Sequence, residues 1–327
     1  MIPIPAESGV FAGRETRPPL PLAAYRAAIA FDEPFRPTAA PATAGRLDAH
    51  VRTALRLLST DVAVSRPAPQ ADSPGNAADM DAATARRVLR ALLTIREPGP
   101  LPAGVDEAVD AVLGAEHLLR PTVSVDRLPT IEEELPGSAF PAARHTVLWR
   151  GDLTALAADA VVNAANSALL GCFRPLHPCI DNALHHAAGP RLREDCHTIM
   201  TLQGTSEPTG TAKITRGYHL PAPYVLHTVG PIVDVRPGAE DARALASSYR
   251  ACLNLAAEVE AIRTVAFCAV STGVFGYPKS GAASVALRTV ADWLEAHPGR
   301  FDRIVFAVFG EDDELAYRQA LCAGSRP

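Results

Sequence analysis

Apolar residues recur with two different spacings along the chain, and the change between them falls near residue 140. Before this point they are three or four positions apart, as on one face of an amphipathic helix. This spacing predicts helices in "RLDAHVRTALRLLSTD", "DAATARRVLRALLTI" and "DEAVDAVLGAEHLL". Residues 1–45 instead contain many prolines, as in "RPPLPLAA", and we expect them to form an extended arm rather than part of a core.

After residue 140, short apolar runs alternate with longer amphipathic segments. Strands are predicted at 145–149, 159–163, 211–215, 224–229, 264–270 and 303–309, and helices at about 179–200, 241–259, 280–297 and 311–321. The last two strands are nearly continuous apolar runs, which is typical of strands covered on both faces. The pattern favours a three-layer α/β/α domain with a mostly parallel or mixed sheet over residues 141–327, preceded by a helical extension over 1–140.

Charge and composition exclude several classes of protein. The formal net charge is −5 without a long basic stripe, which argues against nucleic-acid binding. No run approaches the roughly 20 apolar residues that span a bilayer, and "MIPIPAESGVFAGRE" lacks the features of a secretory signal. Six cysteines are too few for a disulfide scaffold. We expect a cytoplasmic monomer that binds neither nucleic acid nor a membrane.

Three loops follow predicted strands, at the sheet edge where α/β proteins bind ligands. They are "RGDLTA" after the first strand, "NAANSALLG" after the second and "STGVFGYPKSG" after the fifth. The third is rich in glycine and leads into a helix, so its backbone N–H groups favour an anion such as a phosphate, unless it is an ordinary glycine turn. Asp152 in the first loop is either the N-cap of a helix starting at Leu153 or an acceptor for an amino group on a base.

Two cysteines and one histidine follow the second loop. Cys172, His177 and Cys179 have the spacing C-x4-H-x-C. Thiolate and imidazole favour zinc over magnesium or calcium, and three protein ligands with one open position are typical of a catalytic zinc. A fourth protein ligand would indicate a structural zinc instead, and the candidates for it are His185, His186, Cys196 and His197. The remaining alternative is a chance cluster of buried cysteines around a surface histidine.

Together these motifs resemble the macrodomain family, which binds ADP-ribose. The landmarks are "GDLTALAADAVVNAANSALLG", "LHTVGPIV" and "STGVFGYP", in the order typical of the family, and the resemblance covers roughly residues 140–321. The insertion "CFRPLHPCIDNALHHAAG" resembles the zinc-containing branch, whose members are protein-ADP-ribose hydrolases that often carry a helical N-terminal extension. The segment from Leu89 to Leu119 resembles that extension.

The resemblance implies a role for each loop. Asp152 and the backbone of Leu153 would bind adenine, Phe309 could pack against the adenine ring, and Asn166 would bind the distal ribose. The diphosphate would lie on the backbone of Ser271, Thr272, Gly273, Val274, Phe275, Gly276 and Tyr277. Asp181 aligns with the aspartate that zinc-free hydrolytic macrodomains carry after their glycine run, although "CFRPLHPC" replaces that run here.

The function implied is the zinc-dependent removal of mono-ADP-ribose from protein side chains, by cleavage at C1″ of the distal ribose. Zn²⁺ would be the cofactor, held by the two cysteines and the histidine, and ADP-ribose and mono-ADP-ribosylated proteins would be the partners. Asn166 and Asp181 would be the catalytic residues, with Asn166 fixing the ribose and either Asp181 or the metal activating water. The alternatives are a non-catalytic ADP-ribose reader, an O-acetyl-ADP-ribose deacetylase, and a scaffold whose helical extension recruits a partner.

Overall fold

Eight strands form two sheets in the computed structural model, which describes residues 19–59, 61, 63 and 80–323. In chain order the strands are β1 (Val123–Ser124), β2 (Thr146–Arg150), β3 (Leu156–Ala157), β4 (Ala160–Ala164), β5 (Ala212–Arg216), β6 (Tyr224–Thr228), β7 (Thr264–Phe267) and β8 (Arg303–Val308). The central sheet has the order β2-β8-β7-β4-β6-β5. Only the pair of β5 with β6 is antiparallel in this sheet, and β1 pairs with β3 in a small parallel sheet.

Ten α-helices accompany the sheets in the described part of the chain. They are α1 (Leu22–Tyr25), α2 (Leu47–Leu58), α3 (Ala82–Ile95), α4 (Val105–Leu119), α5 (Ile131–Glu134), α6 (Ile180–Ala188), α7 (Pro190–Gln203), α8 (Ala239–Ala257), α9 (Lys279–Ala296) and α10 (Glu311–Ala323). Helix α6 packs on β4 and α7 packs on β5. Helix α9 packs against both α8 and α10, while α8 also contacts β5 and β6 and α10 contacts β2. The predicted α/β architecture with a mixed central sheet is therefore confirmed.

Each of the six predicted strands of the central sheet is present, with its start displaced by at most one residue. The single helix predicted at 179–200 is wrong, because the chain forms α6 and α7 on either side of Gly189. Gly189 has φ 94°, and a Cβ there would lie 2.7 Å from the side chain of Leu113 in α4. Pro190 then starts α7, where its missing N–H has no helical partner to lose.

The N-terminal arm is predicted to lie outside the core, but part of it is buried there. Residues 1–18 lie outside the described residues, but four side chains that follow are fully buried in the main core: Leu22, Tyr25, Ile29 and Phe31. The hydroxyl of Tyr25 accepts a hydrogen bond from the backbone N–H of Ile214 in β5, at 3.0 Å. The prediction is wrong because the prolines flank an apolar stretch that supplies enough buried area to hold the arm in place.

The helical extension has a core of its own. Helices α2, α3 and α4 bury apolar side chains against one another, which confirms the three helices predicted from spacing. In α4, the buried carboxylate of Asp110 accepts hydrogen bonds from the backbone and hydroxyl of Thr38, from Arg191 and from His219. This carboxylate ties the arm, the extension and α7 together. None of the helices described here is both long and apolar enough to cross a membrane.

Candidate functional site

The predicted binding loops leave the same edge of the sheet. Strands β4 and β7 are parallel neighbours, so the loops that follow them begin side by side. Phe275, in the loop after β7, packs on a small apolar cluster that includes Ala165 and Leu169 from the loop after β4. Val229, which follows β6, belongs to the same cluster. The topology therefore gathers three chain segments at the carboxyl edge of the sheet, where ligands bind in open α/β folds.

Hydrogen bonds within the backbone of the loop after β7 fix its shape. Tyr277 N–H donates to the carbonyl of Ser271 at 2.9 Å, and Gly276 N–H donates to Gly273 at 3.1 Å. Ser271 has φ 65° and Gly276 has φ 70°, both in the left-handed region. Val233 N–H donates to the carbonyl of Phe275 at 2.8 Å, which anchors the loop to the segment after β6.

Three consecutive amides of this loop remain available to a ligand. The backbone N–H groups of Gly273, Val274 and Phe275 make no hydrogen bond within the described part of the chain, and the first two residues are exposed. Helix α9 begins three residues beyond the loop's Gly276, at Lys279. Free amides next to a helix N-terminus favour an anion, which supports the predicted binding of a diphosphate.

Asp152 is an N-cap, and it is also exposed at the sheet edge. Its Oδ1 accepts hydrogen bonds from the backbone N–H of Thr154 at 2.9 Å and from the Thr154 hydroxyl at 2.7 Å, which confirms the capping interpretation. Phe309 follows the neighbouring parallel strand β8, and its side chain is 81% exposed. The two residues thus flank the same end of the sheet, with the Leu153 side chain buried behind them. Their contact with adenine stays a prediction.

Asn166 uses both ends of its amide within its own loop. Its Nδ2 donates to the carbonyl of Gly171 at 3.1 Å, and its Oδ1 accepts from the N–H of Ala168 at 3.0 Å. The side chain therefore closes the turn that leads to Cys172. Gly171 has φ 83° and packs against the imidazole of His185, so a Cβ at residue 171 would lie only 3.0 Å from the ring. Ribose binding by Asn166 stays a prediction.

The structure brings the three sequence-predicted zinc ligands together. The sulfur atoms of Cys172 and Cys179 and a ring nitrogen of His177 all lie within 4.8 Å of one another, and the side chains are half-buried. The separation between Cys172 Sγ and His177 Nδ1 is 3.7 Å. Tetrahedral zinc with bonds of roughly 2.0–2.3 Å needs only small adjustments from this spacing.

The electrostatics of the two cysteines also suit a cation. A hydrogen bond from Cys179 lowers the pKa of Cys172 to about 5, and His177 contributes to the shift, whereas the same pairing raises the pKa of Cys179. The pairing of the two sulfurs therefore favours the thiolate form of Cys172. Cys179 is also the N-cap of α6, where its sulfur accepts from the N–H of Asn182 at 3.4 Å. A helix N-terminus favours the thiolate form that binds metal.

No fourth side chain joins this donor group among the residues that the structure describes. Of the four candidates from the sequence, His186 and His197 belong to no donor group there. His185 and Cys196 belong to a second group, whose third member is His227. The first group therefore has two sulfurs and one nitrogen, the three ligands predicted from the sequence. The zinc and its open position stay predictions.

The second group is part of a polar network in the core, in which both ring nitrogens of His185 are buried without a hydrogen-bond partner. The amide nitrogen of Asn163 donates to Asp181 at 2.8 Å and also lies 3.2 Å from His227 Nδ1. His227 Nδ1 therefore accepts, and Nε2 carries the proton toward the hydroxyl of Thr215 at 2.9 Å. A metal-bound histidine instead donates its other N–H to an acceptor. His227 is not among the residues predicted from the sequence, because it lies in the apolar run "YVLHTV".

Asp181 belongs to this network rather than to the donor group of Cys172, His177 and Cys179. Its side chain is buried, and one carboxylate oxygen lies 3.5 Å from Nε2 of His185. Burial raises the pKa of Asp181 to about 7, although the hydrogen bond from Asn163 opposes the shift. The sequence did not indicate this position, and a catalytic role of Asp181 stays a prediction.

This geometry is that of a ligand-binding α/β domain with its loops gathered at one edge of a mixed sheet. A family model described as "Macro domain" matches residues 162–286. A solved Trypanosoma brucei macrodomain in complex with ADP-ribose is 30% identical, with a TM-score of 0.53, over 82% of this chain and 95% of that one. The macro domain of ganglioside induced differentiation associated protein 2 is 33% identical, with a TM-score of 0.54, over 62% of this chain and 96% of that one. The chain belongs to the macrodomain family.

A curated relative is also similar to about half of the chain. A protein from Treponema medium named protein-ADP-ribose hydrolase is 52% identical over 174 residues. The match covers 53% of this chain and 66% of the relative, slightly less than two thirds of its length.

Proposed function

We propose that this chain is a zinc-dependent hydrolase that removes mono-ADP-ribose from modified protein side chains. The observation that carries the proposal is the group of two sulfurs and one imidazole. It lies in the segment that follows β4, and the loop after the neighbouring parallel strand β7 carries the free amides. A reader of ADP-ribose needs the amides but has no use for a three-ligand metal position. Curated relatives from Treponema medium and Staphylococcus aureus that are named protein-ADP-ribose hydrolases support the same activity.

ADP-ribose would lie along the carboxyl edge of the sheet. Adenine would meet the exposed ring of Phe309 and the carboxylate of Asp152 at the ends of β8 and β2. The diphosphate would accept hydrogen bonds from the amides of residues 273–275, next to the N-terminus of α9. The distal ribose would then reach the loop that Asn166 closes, which leads into the donor group.

Hydrolysis at C1″ passes through an oxocarbenium-like transition state, so the site must hold the ribose and supply water to the anomeric carbon. The hydroxyl of water forms the new bond to C1″, and its proton passes to the departing side-chain atom. Cys172, His177 and Cys179 would hold the zinc, which supplies a Lewis acid and lowers the pKa of bound water toward ~7. Asn166 would orient the ribose, and such positioning contributes several kcal/mol.

Metal content and turnover test this proposal together. Protein purified without added metal should contain about one zinc ion per chain, as expected of a three-ligand catalytic site. Cys172→Ala and His177→Ala should lose both the zinc and the release of ADP-ribose, while their unfolding curves remain cooperative. Cys252→Ala is the matched control, since Cys252 is buried in the main core away from both donor groups. A metal-free wild type with full activity would overturn the proposal.

The substrate is tested with proteins mono-ADP-ribosylated on serine, on acidic side chains or on arginine, each with and without a chelator. We expect release from at least one linkage, and we expect the chelator to stop it. Binding of ADP-ribose without release from any linkage would instead identify a reader. Cleavage of O-acetyl-ADP-ribose alone would identify an esterase that acts on a small metabolite.

A further inference from the structure

The loop that carries the metal donors, residues 171–179, is called the metal loop below, and few hydrogen bonds within its own backbone fix its shape. Residues 171–179 form neither helix nor strand. Within the loop, His177 N–H donates to Arg174 at 3.2 Å, and Cys179 N–H donates to His177 at 2.9 Å. A metal site needs its ligands held to within fractions of an ångström, so groups outside the loop must fix its course.

Arg193 in α7 fixes the entrance of the loop. Its Nε donates to the carbonyl of Leu170 at 2.7 Å, and its guanidinium carbon lies 4.5 Å from the centre of the Phe173 ring. The side chain is 7% exposed. One planar cation therefore holds the backbone before Cys172 and the side chain after it.

The same guanidinium is itself held by the helical extension. Its Nη1 donates to the carbonyls of Leu93 at 3.0 Å and of Arg96 at 2.5 Å, at the carboxyl end of α3. These carbonyls are among the last of the helix, where no helical N–H is left to bond them. Arg193 thus bonds the free carbonyls at the end of α3, and its Nε bonds the carbonyl of Leu170 just before the metal loop.

Asn182 in α6 fixes the middle of the loop in a similar way. Its Nδ2 donates to the carbonyl of His177 at 3.0 Å and to that of Arg174 at 3.3 Å. Its Oδ1 lies 3.5 Å from the hydroxyl oxygen of Thr94 in the last turn of α3, whose proton is donated to the carbonyl of Arg90 at 2.8 Å. Both Asn182 and Thr94 are buried.

The segment after α3 is shaped to keep these groups in place. The Arg96 side chain donates to the carbonyls of Glu97, Gly99 and Pro100, and it forms a buried ion pair with Asp61 at 2.7 Å. These contacts give a physical reason for the sequence "TIREPGP", which the proposed reaction does not explain. Arg96 rigidifies the turn, and its own carbonyl faces Arg193.

We propose that Arg193 and Asn182 are positioning residues that couple the docking of the helical extension to the geometry of the metal loop. The end of α3 holds Arg193 through two carbonyls and contacts Asn182 through Thr94. The two side chains in turn hold the backbone on both sides of Cys172 and at His177. The extension is then part of the metal site rather than an independent module. This inference rests on the proposed function for the identity of the metal only.

The experiment compares two arginines on the same helix in the full chain. Arg193→Met removes the link to the loop, whereas Arg191→Met removes an ion pair with Asp110 in α4 and leaves the contacts of the loop intact. Zinc affinity is measured by competition with a chromophoric chelator, and amide hydrogen exchange is followed for residues 171–179. We expect Arg193→Met to weaken zinc binding by about tenfold or more and to speed exchange in the loop. We expect Arg191→Met to change neither, because Thr38 and His219 still bond Asp110 and keep the extension docked.

Two further variants keep the inference testable whatever Arg193→Met does to folding. Asn182→Asp keeps the size of the side chain but loses the two donated hydrogen bonds, so it should also weaken zinc binding and speed exchange at the loop. Arg193→Lys keeps the charge but cannot reach Leu170 and α3 together, so its affinity should fall between those of wild type and Arg193→Met.

Equal losses in Arg191→Met and Arg193→Met would mean that both act through overall stability, and the inference would be wrong. Unchanged zinc affinity and loop exchange in both Arg193→Met and Asn182→Asp would also overturn it. If wild type binds no zinc, the proposed function fails by itself, and the exchange comparison still decides whether Arg193 and Asn182 position the loop.

Discussion

The hydroxyl oxygen of Ser271 lies against the backbone of Gly230, where it occupies the place that a Cβ at residue 230 would need. Such a Cβ would be 2.0 Å from Ser271 Oγ and 2.8 Å from the side chain of Val270. Gly230 is in "LHTVGPIV" and Ser271 starts the loop after β7, so a close backbone approach joins the two motifs.

Gly230→Ala should therefore displace Ser271 and destabilise the protein by about 1–3 kcal/mol, the usual cost of overpacking a tight contact. Urea unfolding measures this change. Gly273→Ala is the matched control for stability, because a Cβ at residue 273 meets no atom within 4 Å and its φ is not in the left-handed region. An equal loss in both variants would contradict the explanation.

Two substitutions of Asp152 distinguish its role as an N-cap from its proposed contact with adenine. Asp152→Ala should weaken ADP-ribose binding by about 1–3 kcal/mol if a hydrogen bond to the carboxylate is lost. Asp152→Ser keeps an N-cap oxygen for the backbone N–H of Thr154, but it has no second oxygen for a ligand. We expect calorimetry to show weak binding for both. Full affinity in Asp152→Ser would mean that the residue is only a cap.

Removal of one charge from the buried ion pair of Lys213 and Glu207 should destabilise the protein strongly. Their charged atoms are 2.7 Å apart, and both side chains are almost fully buried. Lys213→Met leaves the Glu207 charge without its partner, and we expect it to lower the free energy of unfolding by about 3–5 kcal/mol. Lys213→Met combined with Glu207→Gln should cost less than the sum of the two single changes. Additive costs in a urea double-mutant cycle would contradict this coupling.

Asp110 should make the stability of the extension sensitive to acid. Burial alone would raise its pKa, but hydrogen bonds from His219, Arg191 and Thr38 together outweigh burial and lower it. A carboxyl group with a lowered folded-state pKa contributes stability above its unfolded pKa, near ~3.9, and loses it as the pH falls further.

Asp110→Asn should accordingly be less stable than wild type at pH 7, and the difference should shrink as the pH falls from about 5 to 3. Urea unfolding at several pH values measures this. Asp302→Asn is the control, since Asp302 forms an exposed ion pair with Arg263 that contributes little. A constant difference for Asp110→Asn across the range would exclude the proposed titration.

The sequence was most informative where contacts are local. The apolar runs of "TVAFCAV" and "RIVFAVF" predicted β7 and β8 directly, because strands covered on both faces need little else to specify them. The spacing of Cys172, His177 and Cys179 likewise brought three donors to one place, since only seven positions separate the first from the last. The division of the chain at residue 140 and the zinc itself stay predictions.

The remaining features depend on contacts between distant parts of the chain. Arg193 meets Leu93 from 100 positions away, so nothing near either residue indicates that they bond. His227 is an isolated polar residue in an apolar strand until α6 and α7 bring its neighbours. The break at Gly189 could have been predicted, because "AAGPR" combines a helix-ending glycine with a helix-starting proline.

The contact of Tyr25 with Ile214 has a consequence for the behaviour of the protein in concentrated solution. Strand β5 is the last strand of the central sheet, and its outer side would otherwise present unpaired amides to any strand of a second molecule. The arm packs along this outer side of β5, where the hydroxyl oxygen of Tyr25 accepts the hydrogen bond from the N–H of Ile214. Removal of residues 1–45 should therefore favour self-association and precipitation through β5, even where the remaining chain still folds.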